Sequence, residues 1–190
     1  MVDMFDVLRA HLEKHVELTD AEFDVVKRHF SFRHYKKHQF LIQEGEPVKY
    51  SYFILSGLLK LVHYDEKGKN NIVSFAMEDW WESDFQAYLT GAKATLSLEC
   101  IEDTKVLRIS LADYRNLCAS LQKIQSFFLE KAHFGNIAAQ KRILSLLTSN
   151  AKERHDQLLK QYPSLFQRVP KSLLASYLGV SRETLSRFSD

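Results

Sequence analysis

The sequence is poor in cysteine and carries neither a long apolar run nor a basic leader. Its two cysteines, Cys100 and Cys118, form no metal-ligand spacing, and two thiols cannot build a four-thiolate iron–sulfur site. With no export signal either, both read as buried small hydrophobes in a reducing, cytoplasmic setting rather than as a disulfide. No apolar run approaches the ~20 residues of a membrane span. The opening Met-Val-Asp-Met-Phe-Asp carries acids where a secretory leader would be basic. Also missing are a nucleophile–base constellation, a metal motif and a phosphate-binding loop, which argues against an enzyme. His29, His34, His38 and His63 are scattered without a ligand pair, so hydrogen-bonding or solvated roles are expected and no metal.

What is present is a core. With 190 residues of which 45% are apolar, the chain can form one large or two small domains. The net charge of +2 becomes informative when divided. Residues 141–190 hold nine Lys/Arg against four Asp/Glu, +5, and the rest hold seventeen against twenty, −3. The positive field therefore falls on the C-terminal quarter, where phosphate contact would use it.

Periodicity divides the chain in three. Phe5, Leu8, Leu12 and Val16 keep one helical face apolar, and Thr19-Asp20-Ala21-Glu22 has the form of a capping box before a second helix. From Phe32 to Ile109 short β-rich runs alternate with turn signals such as Glu44-Gly45-Glu46-Pro47, Ser56-Gly57 and Asp65-Glu66-Lys67-Gly68-Lys69. That texture suggests an antiparallel sandwich or jelly-roll barrel with its own core. After Leu111 the helical period returns through Leu117, Leu121, Ile124 and Phe128 to Leu147, with Gly135 a candidate break. Apolar residues on more than one face of this stretch suggest burial on two sides, a second subunit being the economical partner.

The closing segment carries a recognisable geometry. Pro170 suits the first turn of a helix, Leu173, Leu174, Tyr177 and Leu178 recur at helical spacing, and Gly179 supplies a left-handed exit. Ser181 follows as an N-cap, leaving Arg182, Glu183 and Arg187 outward while Leu185 and Phe188 point back. Two helices joined by a three-residue turn with glycine is the arrangement that inserts its second helix in the major groove. Arginine can grip guanine O6 and N7, and a carboxylate can accept from cytosine N4.

Barrel, long helix and closing helix-turn-helix, in that order, resemble the Crp/Fnr family of bacterial transcription regulators. Two stretches carry the resemblance. Tyr52-Phe53-Ile54-Leu55-Ser56-Gly57-Leu58-Leu59-Lys60-Leu61 is similar to the strand–Gly–strand hairpin of the family's cyclic-nucleotide-binding barrel, with Gly45 at the earlier turn glycine. Leu178-Gly179-Val180-Ser181-Arg182-Glu183-Thr184-Leu185-Ser186-Arg187 is similar to its recognition-helix signature. The resemblance implies that Arg182, Glu183 and Arg187 contact base edges and that Ser181 and Thr184 contact phosphate. It also implies ligand positions at Phe75, Trp80, Trp81, Glu82, Ser83, Phe85, Tyr88, Ala94 and Thr95. There the pattern departs from the family, whose cyclic-AMP binders use a Gly-Glu pair on a short helix and an Arg-Ser pair downstream. Glu82 has no glycine before it, and Lys93-Ala94-Thr95-Leu96 stands where Arg-Ser should lie. Lysine cannot reproduce the bidentate fork, so cyclic nucleotide is disfavoured and no cofactor is expected. The aromatic cluster Phe75, Trp80, Trp81, Phe85 and Tyr88 either lines a pocket for a flatter, less charged ligand or fills the old pocket as core, the commoner use of such stripes.

The expectation is thus an α+β chain in three parts: a jelly-roll sensor with N-terminal helices over residues 1–110, a dimerisation helix region over 111–149, and a helix-turn-helix without the family's full β-wing over 150–190. Its partners would be double-stranded DNA, a second copy and a small-molecule effector, with no membrane. The alternative is a ligand-binding or protein-docking barrel that has lost DNA binding.

Overall fold

The computed structural model describes residues 3–66 and 68–188. Helix α1 (Met4–Leu12) is capped by the Asp3 carboxylate, and α2 (Asp20–Arg28) starts with the full capping box, Thr19 and Glu22 exchanging hydrogen bonds. Eight strands follow, with one short helix among them: β1 (Ser31–Tyr35), β2 (Phe40–Ile42), β3 (Tyr50–Ser56), β4 (Leu59–Tyr64), β5 (Asn70–Ala76), β6 (Trp81–Glu82), α3 (Phe85–Thr90), β7 (Ser97–Cys100) and β8 (Thr104–Ser110). They form two four-stranded sheets, β1-β8-β3-β6 and β2-β7-β4-β5. In the first, β8 is hydrogen-bonded antiparallel on both edges, Tyr52 lying opposite Arg108 and Ile54 opposite Val106.

Side-chain alternation on these strands places their residues in different cores. Phe53, Leu107 and Ile109 face outward onto Leu8, Leu12, Phe23, Val26, Leu117, Ile124 and Phe127. Tyr52, Ile54 and Val106 face inward with Ile42, Leu59, Leu61, Leu98 and Cys100. One glycine is obligatory. At Gly57 (φ +110°) a Cβ would fall 2.4 Å from Thr104 Oγ1 and 2.7 Å from the Asp103 carbonyl, so the turn joining β3 to β4 admits no side chain.

Helix α4 (Leu111–Ser120) ends at Leu121, whose extended backbone separates it from α5 (Gln122–Thr148). The break lies there and not at Gly135, through which α5 runs unbroken for 27 residues. A single helical glycine costs only about 1 kcal/mol, which the surrounding hydrogen-bond ladder tolerates. Helices α6 (Ala151–Gln161), α7 (Pro163–Arg168), α8 (Lys171–Leu178) and α9 (Arg182–Ser186) complete the chain. None of the described helices is long and apolar enough to cross a membrane.

The chain forms two compact units, Met1–Leu61 with Phe75–Lys131, and Val62–Ser74 with Ala132–Asp190. Most of the β4–β5 hairpin therefore belongs with the C-terminal helices.

Candidate nucleic-acid interface and ligand barrel

The C-terminal site is built on a small helical core. Leu158, Leu165, Val169, Leu174, Ala175, Leu178 and Leu185 are buried. His155 is buried too, with the rings of Phe166 and Phe188 packed edge-on to it at 5.1 and 5.6 Å. Pro170 stands at the N-cap of α8, one position before the first turn, where its missing N–H is equally harmless. Gly179 adopts φ +68° and closes α8, and Arg154 Nε donates to the Leu178 carbonyl at 3.0 Å. A charged donor on that orphan carbonyl fixes the turn.

Ser181 then caps α9, its Oγ accepting from Thr184 N at 3.1 Å. The two hydroxyls of Ser181 and Thr184 are 3.1 Å apart, so one donates to the other. Ser181, Arg182, Glu183 and Arg187 are exposed, Thr184 is half-buried, and Leu185 is buried. The helix start holds the Glu183 carboxyl below its ordinary range, chiefly through its own backbone amide and then Ser181, so this acid stays ionised. All five residues assigned to DNA thus lie together on one short helix and its cap.

The β4–β5 hairpin is hydrogen-bonded to α8 within the same unit. Arg142, on α5, donates through Nη2 to the carbonyls of Ile72 (2.9 Å) and Tyr177 (3.2 Å), and its guanidinium lies 3.5 Å from the Tyr177 ring centroid. Ser176 Oγ donates to the Asn70 carbonyl and accepts from Ile72 N. Sequence reasoning missed both: Arg142 belongs to no motif, and Ser176, though inside the helix-turn-helix, gives no local sign of a partner far along the chain.

The residues assigned to a ligand do not gather around one space. Trp80 packs on the inward core, whereas Trp81 belongs to the outward one. Trp81 contacts Phe53 at 5.2 Å and Phe128 at 5.1 Å and donates Nε1–H to His11 Nε2 at 3.1 Å. Phe75, Glu82, Ser83, Tyr88 and Ala94 are buried, but Phe85 and Thr95 are exposed. Ser83 and Tyr88 spend their hydroxyls on the carbonyls of Tyr50 and Ile109. The residue that organises the segment is Asp84, 2% exposed. Its Oδ1 caps α3 by accepting from Ala87 N, and its Oδ2 accepts from Thr95 N, Leu96 N and Thr95 Oγ1 at 2.9, 3.2 and 3.3 Å. The amides that could face an anion in this cassette are held by the chain's own carboxylate. An acid immediately before a short helix is an N-cap signal that could have found it.

Comparison with known proteins agrees with this architecture. The family model described as the cyclic nucleotide-binding domain matches residues 32–121. Solved structures extend the likeness beyond that domain. FixK2 from Bradyrhizobium japonicum superposes with a TM-score of 0.73 at 19% identity, covering 84% of this chain and 82% of its own. The c-di-GMP-responsive global regulator CLP of Xanthomonas campestris gives 0.70 at 14% identity over 90% and 89%. A protein of Eubacterium rectale, described as a regulator of the Crp/Fnr family, gives 0.67 at 15% over 90% and 82%. Among curated proteins none matches the sequence. The chain therefore has the fold of Crp/Fnr-type transcription regulators, the domain at its N-terminal side and the α8–α9 hairpin after it.

Proposed function

We propose that the protein is a homodimeric transcription regulator that reads an inverted-repeat operator through α9. The observation that carries this reading is the anchoring of α9. Leu185 is buried beneath it while Arg182, Glu183 and Arg187 stand exposed on the side away from the core. In this reading those three side chains meet base edges. The Ser181 and Thr184 hydroxyls meet backbone phosphate. Two-fold symmetry then sets the half-sites ~34 Å apart, one turn of duplex.

Support for the second copy comes from α5. Leu129, Phe134, Ile137, Ile143, Leu144, Leu146 and Leu147 are 42–78% exposed, an apolar surface that a lone subunit leaves in water. A partner helix against Phe134, Ile137 and Leu144 would bury it.

The barrel is proposed to sense an effector other than a cyclic nucleotide. A cyclic phosphate entering the cassette would meet the Asp84 carboxylate where it needs N–H donors, and no arginine lies between residues 79 and 96. Burying two anions side by side is unfavourable, and the exposed Lys93 cannot supply the bidentate clamp that would offset it. The β4–β5 hairpin, tied to α8 through Ser176 and Arg142, offers the route by which a change in the sheet would bias the reading helix.

Selection of duplexes from a random pool by the purified protein tests this. An inverted repeat should be recovered, and Arg187→Ala should bind it more weakly without changing affinity for random duplex. Absence of duplex binding would favour a docking barrel instead.

A further inference from the structure

We propose that the barrel holds a binding site for a small planar carboxylate, centred on Arg108 and distinct from the Asp84 cassette. Strand β8 alternates, sending Leu107 and Ile109 to the outward core and Val106 and Arg108 to the inward side. Arg108 is thus an inward-facing arginine on a strand hydrogen-bonded along both edges, so the backbone cannot turn it elsewhere. Its Nε donates to Ser31 Oγ at 3.1 Å, and its guanidinium lies flat over Tyr50, 3.9 Å from the ring centroid. Among the described residues neither Nη atom has a hydrogen-bonding or ion-pair partner. A half-buried guanidinium whose forked edge faces open space is the donor set that a carboxylate matches bidentately.

The space it faces is a cavity of about 410 Å³, within the size class of small-molecule sites. Tyr35, Tyr50 and Tyr52 supply aromatic walls, and Leu41 and Val48 aliphatic ones. Lys49 and Arg108 face one acid, Glu46, which leaves a single net positive charge in the lining. That balance suits a monoanion better than a phosphate dianion. The Tyr52 hydroxyl already donates to the Leu41 carbonyl, and burial pushes its pKa upward, so it stays neutral and offers only an accepting oxygen. None of the residues assigned to the ligand from the sequence lines this cavity. An aromatic carboxylic acid fits these features: the carboxylate on the Arg108 fork, the ring against tyrosine and aliphatic walls.

The inference deepens the effector half of the proposed function. It is tested without DNA, so its failure leaves the operator reading standing. The full-length protein is titrated by calorimetry with benzoate, benzamide, cyclohexanecarboxylate and inorganic phosphate. Saturable binding of benzoate is expected, with benzamide at least about tenfold weaker because it lacks the charge that the fork recognises. Arg108→Lys should weaken benzoate by about tenfold or more, and Arg108→Met should abolish it, with circular dichroism and unliganded Tm reporting that each variant is folded. Should Arg108→Met not fold, Arg108→Lys and the benzoate–benzamide contrast on the native protein decide. Equal binding of benzoate and benzamide, unchanged affinity in Arg108→Lys, or no binding of either carboxylate would overturn the proposal. Binding of phosphate alone would overturn the ligand class.

Discussion

Replacing Asp84 with alanine removes one buried carboxylate and leaves four donors to find new partners. They do not weigh equally. Thr95 is exposed, so water can take its hydroxyl and, in part, its amide. The amides of Ala87, 1% exposed, and of Leu96, half-buried, are the costly ones. At about 1–3 kcal/mol for each buried donor left unsatisfied, the alanine variant should lose about 2–4 kcal/mol. Asp84→Asn keeps one carbonyl oxygen and should lose less, about 1–2 kcal/mol, because three of the bonds survive with the oxygen in the Oδ2 position but without its charge. For a chain of this size, 1 kcal/mol corresponds to about 2–4 °C in Tm, so the alanine variant should melt roughly 5–15 °C lower. Urea unfolding followed by fluorescence of Trp80 and Trp81, which flank the cassette, measures both variants. An alanine variant within about 0.5 kcal/mol of the native protein would refute the assignment of Asp84 as the organiser of this segment.

Further expectations concern other regions. Arg187→Ala should cost about 1–3 kcal/mol on the selected operator and little on random duplex, as measured by competition binding. Arg142→Met should raise amide exchange in residues 70–74 and in α8, with a stability loss of about 1–3 kcal/mol for two charged hydrogen bonds and a cation–π contact at a half-buried site; unchanged exchange would show that the hairpin is held by other contacts. His11 is buried, and burial followed by repulsion from Lys131 lowers its pKa from 6.5 to about 4. The unfolded chain therefore binds a proton that the folded chain refuses. Stability should be fully present above pH 6.5 and fall as pH drops toward 4, by up to about 3 kcal/mol, and His11→Gln should flatten that slope in urea titrations. If the proposed dimer forms through α5, Leu144→Asp should shift it toward monomer in light scattering while leaving the barrel folded.

Much of this could be read in the sequence where the signal is local. The capping box at Thr19 and Glu22, the glycine exit at Gly179 and the Ser181 cap each satisfy backbone groups within a few residues, and each forms as the pattern predicts. What escaped depends on which face a residue takes or on what meets it from far along the chain. Trp80 and Trp81 were read as one cluster, yet neighbouring residues at a strand edge point to opposite faces and so join different cores. Arg108 looks like any charged residue in a β run, and only the register that sets it opposite Tyr52 turns it inward. Leu121 carries no breaker chemistry, so the α4–α5 break was hidden, while Gly135 suggested one that does not occur.

The link between the β4–β5 hairpin and α8 has an unequal mutational load. On the hairpin side the hydrogen bonds to Ser176 and Arg142 use main-chain groups: the carbonyls of Asn70 and Ile72 and the amide of Ile72. On the helix side it depends on two particular side chains, Arg142 and Ser176. These bonds do not depend on the side chain at position 70, whereas position 72 must keep its N–H and, being buried, its apolar side chain. Proline at position 72 would remove the N–H that donates to Ser176. Val73, exposed beside this joint, is thus a position where new surface chemistry can be written without removing its hydrogen bonds.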